Sequence, residues 1–392
     1  MSTILTIISE YNPFHFGHQY QLNESVKQTS PDYKVAIMSG NFVQRGEPSI
    51  INKWEKTRLA LENGFDLIIE LPCIYSISSA ENFANGAIKI ANQIHTTYLS
   101  FGSENGNITN LSKLSSLITK NQKKYNQKIK EKISEGYSYP KSQELVINEL
   151  FGEEFKNICL PNNILGLEYL KSLQQTNSSI TPISIKRNTQ FLSSSQIRSN
   201  IRNQNTINLE NLPESTLETL KNNTLQGKLV KSLKYFEKEI IYNLRKMTIS
   251  DIQNIPDVPE NLINKLKRAS GSCNNIEELI SILKSKNITQ ARIQRILLYI
   301  LLNISKEDME FSKETLPYVR ILGTSQKGKK LISSLSQNAN IITSIKHFEE
   351  NCTNKKLLRI LEIDKFATDV YTLAYCKDSK ANLDYTTKLI TK

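Results

Sequence analysis

A chain of 392 residues with 50 Lys and Arg against 38 Asp and Glu carries a formal charge of +12, and that length accommodates two domains with cores of their own. Its longest apolar stretch, Ile296 to Ile304, is too short to cross a bilayer, and Glu10 stands where a secretory signal would be apolar, so a soluble cytoplasmic protein without a membrane partner is expected. The cysteines Cys73, Cys159, Cys273, Cys352 and Cys376 are odd in number and widely spaced, with no Cys-x-x-Cys and no nearby His, which argues against a disulfide framework and against a metal held by protein ligands.

The apolar run Ile4 to Ser9 reads as a first buried strand and Gly17 to Lys27 as the helix after it. Further strand-like runs lie at Lys34 to Met38, Phe65 to Leu71, Tyr98 to Phe101 and Pro182 to Ile185, each closed by Gly, Pro, Ser or a charge. Helical spacing fills the gaps at Ile51 to Asn63, Glu81 to Gln93 and Asn163 to Leu173. Such alternation specifies an α/β, Rossmann-like, doubly wound domain with a parallel sheet over residues 1–203. A helical excursion at about residues 111–150 interrupts it, with the lysines between Lys120 and Lys132 read as a solvated face. Over residues 204–392 apolar positions recur at helical spacing in Leu217 to Leu220, Leu229 to Leu244, Leu262 to Leu266, Ile276 to Leu283 and Ile288 to Ile304, which predicts a mostly α-helical second domain. Near its end Tyr318 to Leu322, Lys329 to Leu335 and Ile341 to Ile345 outline a small strand-helix-strand unit, whose Arg320 is expected to pair with an acid such as Asp364 or Asp369.

Charge is uneven along the chain. Residues 1–200 hold 20 Lys and Arg against 17 acids, or +3, and residues 201–392 hold 30 against 21, or +9. A basic half beside a nearly neutral one suits a polyanion-binding module joined to a small-molecule module. A chain-wide richness in Ile, Asn, Lys and Ser accounts equally well for lysines without a role.

The tetrad His15-Phe16-Gly17-His18 falls where the first strand passes into the first helix. Unpaired N–H groups at such a helix start form an anion site, Gly17 removes a Cβ that would hold a phosphate away, and two imidazoles add side-chain donors. One such tetrad also arises by chance on any loop. A second element follows the last strand of the first half: Ile185-Lys186-Arg187, then Ser193-Ser194-Ser195-Gln196-Ile197-Arg198. Its serines offer an N-cap and hydroxyl donors, and Arg198 lies about one turn on, so Ser194 and Arg198 are read as holding β- and γ-phosphates, with Mg2+ accompanying them.

Together these elements resemble the nucleotidyltransferase superfamily. Longer runs narrow the likeness: Glu10 to His18, Met38 to Pro48, Glu70-Leu71-Pro72, Phe101 to Gly106, Asn162 to Tyr169 and Pro317 to Gly323 are similar to motifs of the tRNA(Met) cytidine acetate ligase family. The resemblance implies a ligase that spends ATP to join free acetate to N4 of the wobble cytidine of elongator tRNA(Met), through acetyl-adenylate. It implies His15 and His18 at the adenylyl-transfer step and ATP contacts from Gly102, Asn162 and Arg187. Ile8, Ser9, Glu10, Tyr11, Asn12, Pro13, Phe14, Gly17 and Lys186 complete the expected nucleotide site. Phe16 departs from the family pattern, where Asn is usual, and the loop from Arg187 to Ser193 is shorter than in relatives.

Gln44 and Arg45 follow the second strand and suit a small carboxylate such as acetate, because Arg pairs well with one. Lys267, Arg268, Arg292, Arg295, Lys327, Lys329 and Lys330 are candidate contacts to the tRNA backbone, each with the alternative of plain solvated surface. DNA is not an expected partner. Two other readings stay open: a small-molecule adenylyltransferase with an incidental basic domain, and a non-catalytic RNA-binding protein that senses ATP.

Overall fold

Strand order, more than strand count, decides where this chain can bind a ligand. The computed structural model describes residues 2–104, 106–155, 158, 160–203, 212–335 and 340–392. Its strands are β1 (Ile4–Ser9), β2 (Tyr33–Ser39), the short hairpin β3 (Phe42–Val43) and β4 (Glu47–Pro48), β5 (Leu67–Leu71), β6 (Tyr98–Ser103), β7 (Thr181–Lys186), β8 (Val319–Thr324), β9 (Ile341–Ile342) and β10 (Ile390–Thr391). The main sheet runs β10-β8-β5-β2-β1-β6-β7, with β9 also on β8. From β5 to β7 every pairing is parallel. The chain winds outward from β1 through β2 to β5 and then returns to the other side of β1, so the switch point lies between β1 and β6.

Helices α1 (Phe16–Thr29), α2 (Lys53–Glu62), α3 (Cys73–Ser76), α4 (Ala80–Gln93), α8 (Pro161–Gln175) and α9 (Ser194–Asn203) are the connections of this domain, and α5 (Ile108–Lys120), α6 (Gln122–Ser134) and α7 (Tyr139–Phe151) form the excursion. Local chemistry starts them: the Asn52 carboxamide accepts from the N–H groups of Trp54 and Glu55, both at 3.0 Å, and the Ser79 hydroxyl caps α4.

The second half is largely helical, from α10 (Glu214–Leu225), α11 (Glu237–Lys246), α12 (Ile249–Gln253), α13 (Glu260–Ser272), α14 (Ile276–Leu283), α15 (Gln290–Leu301) and α16 (Lys306–Glu314) to α17 (Gln326–Leu335), α18 (Ile345–Asn351), α19 (Lys355–Thr372) and α20 (Leu383–Thr386). The helix expected from Leu229 begins later. Val230 N–H donates to Ile50 O at 3.0 Å, holding the start of that segment against the first half, and a 3-10 turn at Leu233–Phe236 then leads into α11. The strand-helix-strand unit is present as β8, α17 and β9, with β9 parallel to β8. It does not stand apart from the sheet, because β8 pairs antiparallel with β5. One apolar cluster runs from β1 and β5 through α4 and α8 into α13, α15 and α19. Residues 204–211, which follow the boundary placed after residue 203, and Asn105 and Cys159 lie outside the described residues.

Arg320 does not pair with Asp364 or Asp369. The β5–β8 register sets it opposite Glu70, and it reaches Glu70 Oε2 at 2.9 Å and Asp384 Oδ1 at 2.6 Å. Lys53 meets the same two acids at 2.9 and 2.7 Å. Asp364 instead accepts from Cys73 N–H at 2.6 Å and from the Tyr318 hydroxyl, and burial together with the Glu70 charge pushes its carboxyl up. Asp369 accepts from Asn382 N–H at 2.7 Å. Removing one member of this closed set of four charges leaves the others buried and unbalanced. We expect Arg320→Met to lose about 3–5 kcal/mol in urea unfolding. Adding Asp384→Leu, which takes away one uncompensated acid, should recover part of that loss.

Candidate active site

At the carboxyl ends of β1, β6 and β7 lies a cavity of about 220 Å3. Ile8 and Ser9 come from β1, Phe101 and Gly102 from β6, and Ile185 and Lys186 from β7, while α1 contributes Gly17 and His18 and α9 contributes Ser194. This is the switch-point crevice that the strand order prescribes.

The two histidines are part of the helix cap. Gly17 N–H donates to His15 Nδ1 at 3.0 Å, and His15 N–H donates to His18 Nδ1 at 3.3 Å. The rings stack with centroids 3.8 Å apart. Burial, then the charges of Arg187 and Arg198, lower His15 to about 4. Burial and the neighbouring His15 hold His18 well below its ordinary value. Both rings are therefore neutral at pH 7, and because each Nδ1 accepts a bond, each proton sits on Nε2. His15 Nε2–H then donates to Ser194 Oγ at 2.9 Å, leaving the serine hydroxyl proton free to donate in turn. The His18 imidazole edge and the Ser194 hydroxyl, the latter oriented by His15, thus converge as neutral donors, with Arg187 close enough to depress both rings. Such a set suits a polyphosphate, whose charge meets preorganised donors.

A second tier holds this tier still. Asn12 Oδ1 accepts from Ile50 N–H at 2.8 Å, and its carbonyl accepts from Arg198 at 3.1 Å. Arg198 also pairs with Glu47 at 3.4 Å. Tyr11 and Phe14 are buried with their rings 4.9 and 5.6 Å from that of His18. Across the cavity, Glu104 accepts from Asn162 Nδ2 at 3.1 Å and from the N–H of Asn163 at 3.1 Å, which caps α8 and orients Asn162.

Residues 1–385 match the family model described as HIGH Nucleotidyl Transferase. A tRNA(Met) cytidine acetate ligase of Thermoanaerobacter sp. (strain X514) is 41% identical over 99% of both chains, and that of Acetivibrio thermocellus is 35% identical over 99% of both. The chain belongs to the tRNA(Met) cytidine acetate ligase family. Thermotoga maritima TmcAL, crystallised with alpha-thio ATP, superposes with a TM-score of 0.93 at 28% identity, covering 99% of each chain.

With the ligase family as frame, the expected residues separate into walls and supports. Ile8, Ser9, His15, Gly17, His18, Gly102, Asn162, Lys186, Arg187 and Ser194 line the cavity. Glu10, Tyr11, Asn12, Pro13, Phe14 and Arg198 lie outside its wall. Gln44 and Arg45 are also outside it: Gln44 donates through its side chain to Ser78 O at 3.2 Å, and Arg45 is exposed. Of the basic candidates, Lys267 donates to three carbonyls at the end of α11, Arg292 holds Asp257 O at 2.8 Å, and Arg295 faces the Asp257 carboxylate at 3.5 Å. Arg268, Lys327, Lys329 and Lys330 are exposed, with Lys327 5.6 Å above the Tyr33 ring.

Sequence reading missed several wall residues, chief among them Tyr20, Phe101, Leu165, Tyr169 and Phe191. Two of these explain the departure at Phe16. Phe191 packs against Phe16 at 6.3 Å and Tyr20 at 6.0 Å, an aromatic clasp closing the short loop onto α1. Leu165 and Tyr169 follow Asn162 by three and seven residues, a spacing that shares one helical face and was the available signal.

A Cβ at residue 17 would lie 2.8 Å from His15 Cε1. Gly17→Ala should keep the fold, since Ala favours a helix, and lower activity at least about tenfold by displacing that ring; thermal melting and turnover measured together check the split. Acid provides another test. His15 titrates near 4 when folded against an ordinary 6.5, so the unfolded chain binds the proton first, and stability present above pH 6.5 is lost toward pH 4. Between pH 7 and 5 the wild-type protein should lose on the order of 2 kcal/mol more than His15→Gln in urea melts, a difference absent at pH 8.

Proposed function

We propose that this chain is an ATP-dependent ligase that acetylates N4 of the wobble cytidine in elongator tRNA(Met) with free acetate. The near-full-length identity to relatives bearing that name carries the reading, and the cavity supplies matching chemistry. An acetate oxygen attacks the α-phosphorus of ATP, the bond to the bridging oxygen breaks, and pyrophosphate leaves. The cytidine N4 then attacks the acetyl carbon of acetyl-adenylate, loses a proton, and releases AMP.

In the first step the Nε2–H of His18 and the Ser194 hydroxyl, oriented by the Nε2–H of His15, donate to phosphate oxygens as charge builds on them, with Arg187 adding a cation at the mouth. Arg198 acts from beneath, holding the loop at Asn12 and the first turn of α9. Gly102 and Asn162 face the nucleoside. Among the described residues no three His, Cys, Asp or Glu side chains form a metal site, so Mg2+ would be carried by the phosphates and water. No described helix is long and apolar enough to cross a membrane. For the tRNA backbone, exposed Arg268, Lys329 and Lys330 are the better-placed candidates, and binding should weaken steeply with salt.

Protein incubated with ATP, acetate and tRNA(Met) should yield N4-acetylcytidine by mass spectrometry of digested RNA. Without RNA it should catalyse acetate-dependent exchange of pyrophosphate into ATP. His15→Ala and His18→Ala should each cut that exchange by roughly 100- to 1,000-fold. Exchange indifferent to acetate would favour an adenylyltransferase of another substrate.

A further inference from the structure

On α8, Asn162, Leu165 and Tyr169 present one face to the cavity. Asn162 is held by Glu104. Tyr169 is 2% exposed, its ring packs 5.8 Å from that of Phe101, and its hydroxyl is buried with no hydrogen-bond partner among the described residues. Buried phenols in folded proteins normally find an acceptor. Burial and the nearby Glu10 charge raise the Tyr169 phenol well above its ordinary value, so it keeps its proton and gains only by donating it. The Ser9 hydroxyl, at the end of β1 in the same wall, is likewise buried and lies within hydrogen-bonding reach of the Tyr11 phenol, which burial raises and this contact lowers.

We propose that the Tyr169 hydroxyl, seconded by Ser9, receives one carboxylate oxygen of acetate, with Phe101 and Leu165 enclosing the methyl group. This rests on the ligase reading above. The phosphates of ATP have their own donors in His18, Ser194 and Arg187, with His15 orienting Ser194, which leaves the α8 wall without a role in binding them. That wall offers neutral donors beside apolar side chains, the pattern a short acid needs. Hydroxyl donors also fit the chemistry. A guanidinium grips both oxygens of a carboxylate and quiets them, whereas one hydroxyl steers a single oxygen and leaves the other to attack phosphorus. Gln44 and Arg45, outside the wall, are not needed for it.

Acetate-dependent exchange of pyrophosphate into ATP, measured on the full chain without tRNA, tests the assignment. Tyr169→Phe keeps the ring and removes one oxygen. It should raise KM for acetate about tenfold, leave KM for ATP within about twofold, and restore most of kcat at saturating acetate. Ser9→Ala should move the same constant by less. An unchanged KM for acetate, or an equal rise in KM for ATP, overturns the proposal. Leu165→Ala is an independent arm should Tyr169→Phe not fold: kcat/KM for propionate relative to acetate should rise about tenfold, and an unchanged ratio counts against the site. Wild-type protein that shows no acetate-dependent exchange overturns the ligase reading itself, a result distinct from a normal wild type beside an unaffected variant.

Discussion

Two buried lysines on one helix, Lys53 and Lys56 of α2, hold the molecule in the form its site requires. Both are fully buried. Lys56 donates to the carbonyls of Glu10, Ser39 and Gly40 at 3.0, 2.8 and 2.7 Å, tying together the carboxyl ends of β1 and β2. Burial lowers its ammonium to about 7. Three carbonyls that would otherwise lie unpaired inside the protein are satisfied by this one group. Lys53, one turn earlier, joins β5, β8 and α20 through Glu70 and Asp384. A single helix thereby sets the end of the strand that leads to the histidines and anchors the second half to the sheet.

From that anchor the site follows in tiers. The loop after β1 is fastened on one side by Lys56 at Glu10 and on the other by Arg198 at Asn12. Tyr11 and Phe14 fill the space beneath the rings, and the imidazoles are locked by backbone N–H groups at their Nδ1 atoms. Burial keeps them neutral, so they act as oriented donors without the desolvation cost of a buried cation. Much of the long motif from Glu10 to Phe14 is foundation, and the chemistry is left to the few groups that reach the cavity.

Much of the fold was legible. Buried parallel strands announce themselves as short β-branched runs, and β1, β2, β5, β6 and β7 lie where those runs do. Less visible were the two-residue strand β10 and the 18-residue α19, whose face carries Asp364, Thr368 and Thr372 among its apolar residues. These polar groups are buried because partners meet them, as Tyr318 and Cys73 meet Asp364. A hydrophobic pattern does not show a satisfied polar residue. The Leu229 segment turns helical later than its spacing suggests, because a long-range bond from Val230 N–H to Ile50 O holds its first residues before a 3-10 turn at Leu233–Phe236.

What the sequence determined by itself was local. The His15-Phe16-Gly17-His18 cap closes through bonds spanning two or three residues, so its geometry is implicit in the tetrad and in the strand before it. Tertiary structure decided everything that depends on partners far along the chain. Register across β5 and β8 chose Glu70 for Arg320, 250 residues before it, and the packing of α20 brought Asp384, 64 after it. Packing gave the candidate RNA contacts Lys267, Arg292 and Arg295 partners of their own at helix ends and loops. It also left the Tyr169 hydroxyl buried without a partner among the described residues. Short-range hydrogen bonds are encoded by spacing, whereas the pairing and desolvation of a side chain are set by whatever the fold brings against it.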